Sequence, residues 1–210
     1  MKIVVFNIGL GNVRSVVSAF EHVGAEVELT ADPDAALNAP GLVVPGVGAY
    51  GAVMKKLQAV RGDRIIERRL AGGQPVFGVC VGLQIMFERG TEMTVTEGLG
   101  QWPGEVNRLP ADVVPHMGWS PVKAAAGSVL LDGLDGERFY FLHSYAVLDN
   151  PAANWSESEI FMAPKVSTAN YGVDFVAAVE QGPLSATQFH PEKSSDAGMH
   201  LLENWLGSLA

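Results

Sequence analysis

Along the first half of the chain, short unbroken apolar runs alternate with apolar residues spaced for a helix. Lys2-Ile3-Val4-Val5-Phe6 reads as a buried strand. Val13, Val16, Val17 and Phe20 then recur at helical spacing, which leaves His22 on the solvated side. Glu26 to Thr30 predicts a second strand, Gly41 to Val44 a third and Val76 to Val79 a fourth. Ile65, Ile66, Arg69 and Leu70 predict a helix that starts after an Asp63 cap. Repeated βα units of this length predict a parallel sheet with helices on both faces. The second half is richer in strands: Gly104 to Leu109, Arg138 to His143, Phe175 to Glu180 and Leu184 to Phe189. The last two meet at Gln181-Gly182-Pro183, a turn signal. A terminal helix is expected to bury Leu201, Leu202, Trp205 and Leu209. The expected fold is α/β: a mostly parallel central sheet with helices on both faces, and a more antiparallel, strand-rich second half.

Composition narrows the class. With 210 residues, 48% of them hydrophobic, one α/β domain with a full core is expected over residues 1–210. The net charge of -9 argues against a nucleic-acid binder. No apolar leader and no long apolar run appear, so no membrane association and a cytoplasmic location are expected. A single cysteine excludes an internal disulfide framework and a cysteine-rich metal site.

That cysteine stands where cysteines do chemistry. Val76-Phe77-Gly78-Val79-Cys80 runs into Val81-Gly82-Leu83-Gln84-Ile85-Met86-Phe87. An apolar strand thus turns sharply into a helix with Cys80 at the apex, as in a nucleophile elbow. Gly78 and Gly82 tolerate the tight backbone, and the helix start favours a thiolate. The competing reading is a buried, inert thiol.

A nucleophile needs a base. His22 and His200 fall on helices as surface or packing residues, while His116 and His143 follow apolar stretches and fit either a site or packing. His190 ends the strand through Phe189 and opens His190-Pro191-Glu192. In extended backbone, residues i and i+2 share a side, so Glu192 reaches one ring nitrogen while the other faces the thiol. Nucleophile, base and orienting acid form a triad by role rather than by chain order. Taken alone, His-x-Glu is a common surface coincidence. The third segment, Pro45-Gly46-Val47-Gly48-Ala49-Tyr50-Gly51, follows the third strand. It offers backbone N–H groups to an oxyanion beside the N–H of Val81, or else is an ordinary strand-to-helix turn. Two nucleotide motifs fail: Gly9-x-Gly11 has Arg14 in place of the third glycine, and no Gly-Lys-Ser/Thr loop exists.

Pro45-Gly46-Val47-Gly48, Gly78 to Gln84 and His190-Pro191-Glu192 together resemble the class I (triad) glutamine amidotransferases. Asn7-Ile8-Gly9 with Gly11-Asn12, His116-Met117-Gly118-Trp119, Phe139 to Tyr145 and Gln188 to Ser195 are similar to the glutaminase subunits of imidazole glycerol phosphate synthase within that class. The stretch from Asp149 to Lys165 matches nothing in the family pattern and reads as a variable loop. The resemblance implies a class I glutamine amidotransferase-like fold and hydrolysis of glutamine, with neither cofactor nor metal. Cys80 is then the nucleophile, His190 the base, Glu192 its orienting acid, and Val47 and Val81 the oxyanion donors. It further implies that Gly48, Gln84, Glu92, Ser144 and Tyr145 hold glutamine, Glu92 pairing the ammonium. A solvated loop charge is the plain alternative for Glu92. The chain shows no equipment for using ammonia, so the resemblance implies a heterodimer with a cyclase subunit, a (β/α)8 barrel. Asn12, Trp119, Tyr140 and Lys193 are implied at the docking face, with core packing the alternative for Trp119.

Three other readings remain open on the residues. One is a glutaminase serving a different synthase, against which the His-Met-Gly-Trp string argues. Another is a cysteine hydrolase acting alone. The third is a binding protein that kept the fold without the reaction. The glycines flanking Val47 further suggest a switch: a peptide plane free to turn either an N–H or a carbonyl toward the oxyanion.

Overall fold

A computed structural model describes residues 1–9, 13–153, 155 and 162–209. Asn12 and, within the expected variable loop, residues 154 and 156–161 lie outside the described residues. Strands Lys2–Phe6 (β1), Glu26–Thr30 (β2), Leu42–Gly46 (β3) and Val76–Cys80 (β4) alternate with helices Val13–His22 (α1), Pro33–Asn38 (α2), Tyr50–Ala59 (α3) and Gly62–Ala71 (α4). Helix Val81–Gln84 (α5) follows β4 directly. Then come Phe87–Gly90 (β5), Thr96–Glu97 (β6), Trp102–Arg108 (β7), His116–Pro121 (β8), Arg138–His143 (β9) and Tyr145–Val147 (β10). Lys165–Asn170 (β11), Asp174–Gln181 (β12), Leu184–Thr187 (β13) and helix Ser195–Gly207 (α6) close the chain.

The main sheet has seven strands in the order β11-β12-β13-β4-β3-β1-β2. From β13 to β2 every neighbouring pair is parallel, whereas β11–β12 and β12–β13 are antiparallel. All residues of β3 and β4 are buried, as central strands covered on both faces require. Register puts Val5, Val43 and Phe77 on one face and Val4, Leu42 and Val76 on the other. On the first face Phe77 meets Trp205 of α6 and Phe20 of α1, with ring centroids 5.2 and 6.4 Å away. On the second, Phe6 and Leu57 crowd Gly62 at the start of α4. Two smaller sheets, β10-β7-β5-β6 and β8-β9, flank this frame. The parallel sheet with helices on both faces and the strand-rich second half are thus as the pattern predicts.

Details differ for physical reasons. The apolar pattern read above omits α2 and α3. Asp32 caps α2 through the Ala35 N–H, with Pro33 opening the helix. Tyr50, Val53, Met54 and Leu57 form the buried stripe of α3. Asp63 is not the α4 cap: Arg61 is, with φ of 56°, and Asp63 lies in the first turn. Leu209 lies beyond α6 and is only partly buried. Arg69 falls on the buried face of α4, as its spacing predicts, and is fully buried. Its guanidinium donates to the carbonyls of Ala36, Leu37, Ala39 and Pro75, tying the end of α2 to the approach of β4. Burial pushes its pKa down to about 10, so it remains a cation near neutrality.

His116 and His143 are buried on the inner face of the β8–β9 sheet, and His143 also borders the cavity over Cys80. His116 stacks on Phe141 and Tyr171, and its Nδ1 lies 3.1 Å from His143 Nε2. Burial pushes their pKa values down to about 4 and about 3, so both are neutral in the fold. Unfolding lets each titrate near its free value of about 6.5. The unfolded state therefore binds more protons below that pH, and stability falls on acidification. Urea unfolding between about pH 6.5 and 5 is expected to lose stability with a slope that rises toward about 1.4 kcal/mol per pH unit for each of the pair. His116→Phe is expected to halve that slope. A flat stability profile over this range would contradict the buried neutral pair.

Candidate active site

The C-terminal ends of β3, β4 and β13 lie side by side in the sheet. Ligands in open α/β sheets bind in this position. β4 delivers Cys80, β3 delivers the loop after Gly46, and β13 leads through Gln188 and Phe189 to His190. Cys80 has φ 57° and ψ -112°, a strained backbone that costs on the order of 1–3 kcal/mol. Three glycines make that turn possible. A Cβ on Gly82 would stand 2.1 Å from Val44 O, one on Gly78 would stand 2.5 Å from Gly82 O, and one on Gly46 would stand 2.6 Å from Gly82 N. The turn into α5 is therefore set directly against the ends of both neighbouring strands.

The helix after Cys80 is shorter than its apolar spacing suggests. It stops at Gln84, and Phe87 already belongs to β5. Leu99 N–H bonds the Ile85 carbonyl and Gln101 N–H the Met86 carbonyl, drawing the chain out of the helix. A long helix dipole is thus absent at the sulfur. What remains is local: Val81 opens α5, where the first N–H groups lack intrahelical partners.

His190 is buried beside Cys80, and its Nδ1 lies 2.8 Å from Glu192 Oε1. The contact is not made along extended backbone as read above. β13 ends at Thr187, and Pro191–Lys193 is a 3-10 turn that folds Glu192 back under the ring. Burial alone would lower the His190 pKa, but hydrogen bonding to Cys80 and Glu192 outweighs it and raises the pKa to about 10. The backbone of this turn is clipped to β9. His190 N–H bonds the Tyr140 carbonyl at 2.9 Å, and Tyr140 N–H bonds Ser194 Oγ at 2.9 Å. Among the described residues, Glu192 Oε2 is buried without a hydrogen-bond partner.

A cavity of about 280 Å³ opens over the sulfur. Cys80, His190, Val47, Val81, Gly48, Gln84, Glu92, Ser144, Tyr145 and Lys193 all border it, so the sequence-derived set converges with few exceptions. Glu192 stands behind His190. Trp119 and Tyr140 lie on the outer face of the β8–β9 sheet. Glu92 is half-buried rather than solvated, and its Oε2 accepts the Tyr50 N–H at 2.8 Å. Gln84 is buried, and its Nε2 donates inward to Tyr145 O and Gln188 Oε1, at 2.9 and 3.0 Å. Gln188 contacts Cys80 from beneath, a role the sequence motif alone did not reveal.

This geometry suits acyl transfer at a thiol. The match to known proteins agrees. The family model for class-I glutamine amidotransferases fits residues 4–208. The chain belongs to that family. Among its relatives, the imidazole glycerol phosphate synthase subunit HisH of Leifsonia xyli subsp. xyli is 60% identical over 210 residues, covering 99% of this chain and 98% of the relative. The HisH subunit of Nocardia farcinica is 58% identical over 212 residues, with 99% and 98% covered. Among solved structures, a glutamine amidotransferase matches with a TM-score of 0.72 at 20% identity, over 97% of this chain and 98% of that one. The glutaminase domain of a Trypanosoma brucei CTPS, solved with bound acivicin, matches with a TM-score of 0.67 at 17% identity, over 100% and 93%. These distant structures share the family's fold.

The loop after β3 is freer on one side only. Gly46 pairs with Cys80 and packs on Gly82 N, so it is pinned rather than a hinge. Gly48 has φ +102° and open space around it. Beyond it, the Tyr50 ring is buried against Gly90, which anchors the far end of the loop. Any rotation of the Val47–Gly48 peptide thus depends on Gly48. Gly48→Ala strains that backbone and is expected to lower kcat for glutamine by about tenfold or more, with KM changing less. A steady-state kcat within about twofold of wild type would separate this loop from oxyanion stabilisation.

Proposed function

We propose that this chain is the glutaminase subunit of an imidazole glycerol phosphate synthase, with residues 1–210 acting as one amidotransferase domain. The observation that carries the reading is the Glu192–His190 pair, held at 2.8 Å against the chain's one cysteine. High identity to HisH subunits over the full chain sets the biological context.

The residues divide the work as follows. The raised His190 pKa keeps the ring an imidazolium near neutrality, a cation beside the Cys80 sulfur. The thiolate attacks the side-chain amide carbon of glutamine. Backbone N–H groups at Val47 and Val81 stabilise the oxyanion. As the C–N bond breaks, His190 gives its proton to the leaving nitrogen, which departs as ammonia and leaves a thioester. Neutral His190 then takes a proton from water, whose oxygen attacks the thioester carbon. Glutamate leaves, and thiolate and imidazolium are restored. Glu192 holds the ring and stabilises its positive state. Glu92 pairs the substrate ammonium, and Ser144, Tyr145, Gly48 and Gln84 shape the cavity around it.

The ammonia goes to a cyclase subunit, a (β/α)8 barrel, for imidazole formation in histidine biosynthesis in the cytoplasm. An apolar patch beside the cavity supports docking there. Trp119 is 41% and Met117 66% exposed on the outer face of β8, beside Tyr140 and Leu142 of β9. The Trp119 and Tyr140 rings pack edge to face at 6.0 Å, and Lys193 Nζ lies 6.0 Å over the Tyr140 ring. The exposure of Trp119 supports docking over core packing. Met117 and Leu142 join the patch by register, which the docking set derived from sequence did not include.

Cys80→Ala is expected to abolish glutamine-dependent synthesis while the reconstituted synthase still runs on added ammonium salt. Glutamine-dependent turnover near wild type in this variant would remove Cys80 from the mechanism. Trp119→Ala is expected to weaken association with the cyclase by about 2 kcal/mol, measured by calorimetric titration, with little change in its own melting. Unchanged association would move the docking face elsewhere.

A further inference from the structure

The side chain of Gln188 is fully buried beneath Cys80 and does not border the cavity. Its Nε2 lies 3.7 Å from Cys80 Sγ, and its Oε1 accepts the Gln84 Nε2 at 3.0 Å. The amide orientations follow from a single unambiguous group. The Tyr145 carbonyl is an acceptor only, so Gln84 must turn its NH2 toward it, at 2.9 Å. The second Gln84 hydrogen then points at Gln188, which must answer with its oxygen. That leaves the Gln188 NH2 facing the sulfur. The same carbonyl also receives His143 Nδ1 at 2.9 Å, so that nitrogen carries the hydrogen and His143 Nε2 accepts from His116. Donor direction is thus fixed from the β8–β9 sheet to the sulfur.

We propose that Gln188 is a further catalytic residue, which donates to the Cys80 thiolate from below the substrate cavity, and that Gln84 is the positioning residue that orients it. This rests on the reading of Cys80 as the nucleophile. The opposite side of the sulfur matches the opposite protonation state. Leu142 O lies 3.9 Å from Sγ and accepts from a thiol, whereas an anionic sulfur gains nothing from a carbonyl. The Gln188 N–H favours the thiolate because a hydrogen bond to a charged acceptor is stronger than one to a neutral group. His190 shares this task but must let its proton go during ammonia release. Gln188 keeps its own, so it holds the sulfur while the charge on His190 changes. A donor that cannot ionise also leaves the base free to cycle.

The test is the rate of Cys80 alkylation by iodoacetamide as a function of pH, which needs neither glutamine nor a partner. Gln188→Met keeps the volume and removes the donor. Its half-maximal pH is expected to move up by about one unit, so that the rate on the rising limb of the profile falls about tenfold, the low end for a hydrogen bond to a charged group. Gln84→Met leaves the sulfur untouched and is expected to shift the profile the same way by less, and it carries the test if Gln188→Met does not fold. A merely structural role would lower melting temperature and leave the profile in place. Profiles that overlay wild type in the folded variants would overturn the proposal. A wild-type Cys80 that resists alkylation near neutral pH would instead overturn its assignment as nucleophile, and this proposal with it.

Discussion

The site depends on one steric constraint: the backbone at Cys80 is pressed against the ends of both neighbouring strands with no room for a Cβ at Gly46, Gly78 or Gly82. Close contact at these three positions holds a positive-φ cysteine that would otherwise relax. It also sets the height of the loop after β3, because Gly46 is both the last residue of that strand and the neighbour of Gly82 N. The turn at Cys80 and the end of β3 are therefore parts of one close contact, and the first open position beyond it is Gly48.

A second consequence concerns the β8–β9 sheet. Its inner face is an aromatic and histidine layer, and its outer face carries the apolar patch. Three backbone groups of β9 reach the chemistry directly: Tyr140 O and N hold the His190 turn, and Leu142 O contacts Cys80 Sγ. A partner seated on Trp119 and Tyr140 would press on the same strand whose backbone contacts His190 and Cys80 Sγ. This is a short mechanical path rather than a long relay. It gives a physical reason for a glutaminase to respond to what docks beside it, since a strand shared by two sites has its placement biased by both.

Much of this was legible in the sequence because the relevant signals are local. Buried parallel strands are unbroken apolar runs, and an elbow needs small residues around its apex, so β3, β4 and Cys80 could be read directly. The Cys80–His190–Glu192 set was legible because the turn after Phe189 is short, although its geometry is a 3-10 turn and not a strand. What could not be read depends on contacts distant in the chain. α5 ends early because residues 99–101 claim the carbonyls of Ile85 and Met86. The spacing places Arg69 on the buried face of α4, but the carbonyls of Ala36, Leu37 and Ala39 that receive it there are distant in the chain. Gln188 looks like a strand residue until Gln84 and Tyr145 fix the direction of its amide. The β8 strand was hidden by Gly118 and Pro121, which carry weak strand signals, and with it the role of Met117.

The central claim is that docking surface and catalytic site form one connected unit, so that hydrolysis answers to the partner. The most direct measurement is glutamate release from glutamine by the isolated chain and by the chain with its cyclase and acceptor nucleotide bound. Slow release is predicted for the chain alone, with a rise of at least about two orders of magnitude in the complex, the size of one restored oxyanion donor. Equal rates in the two states would contradict this coupling and favour a hydrolase that acts alone.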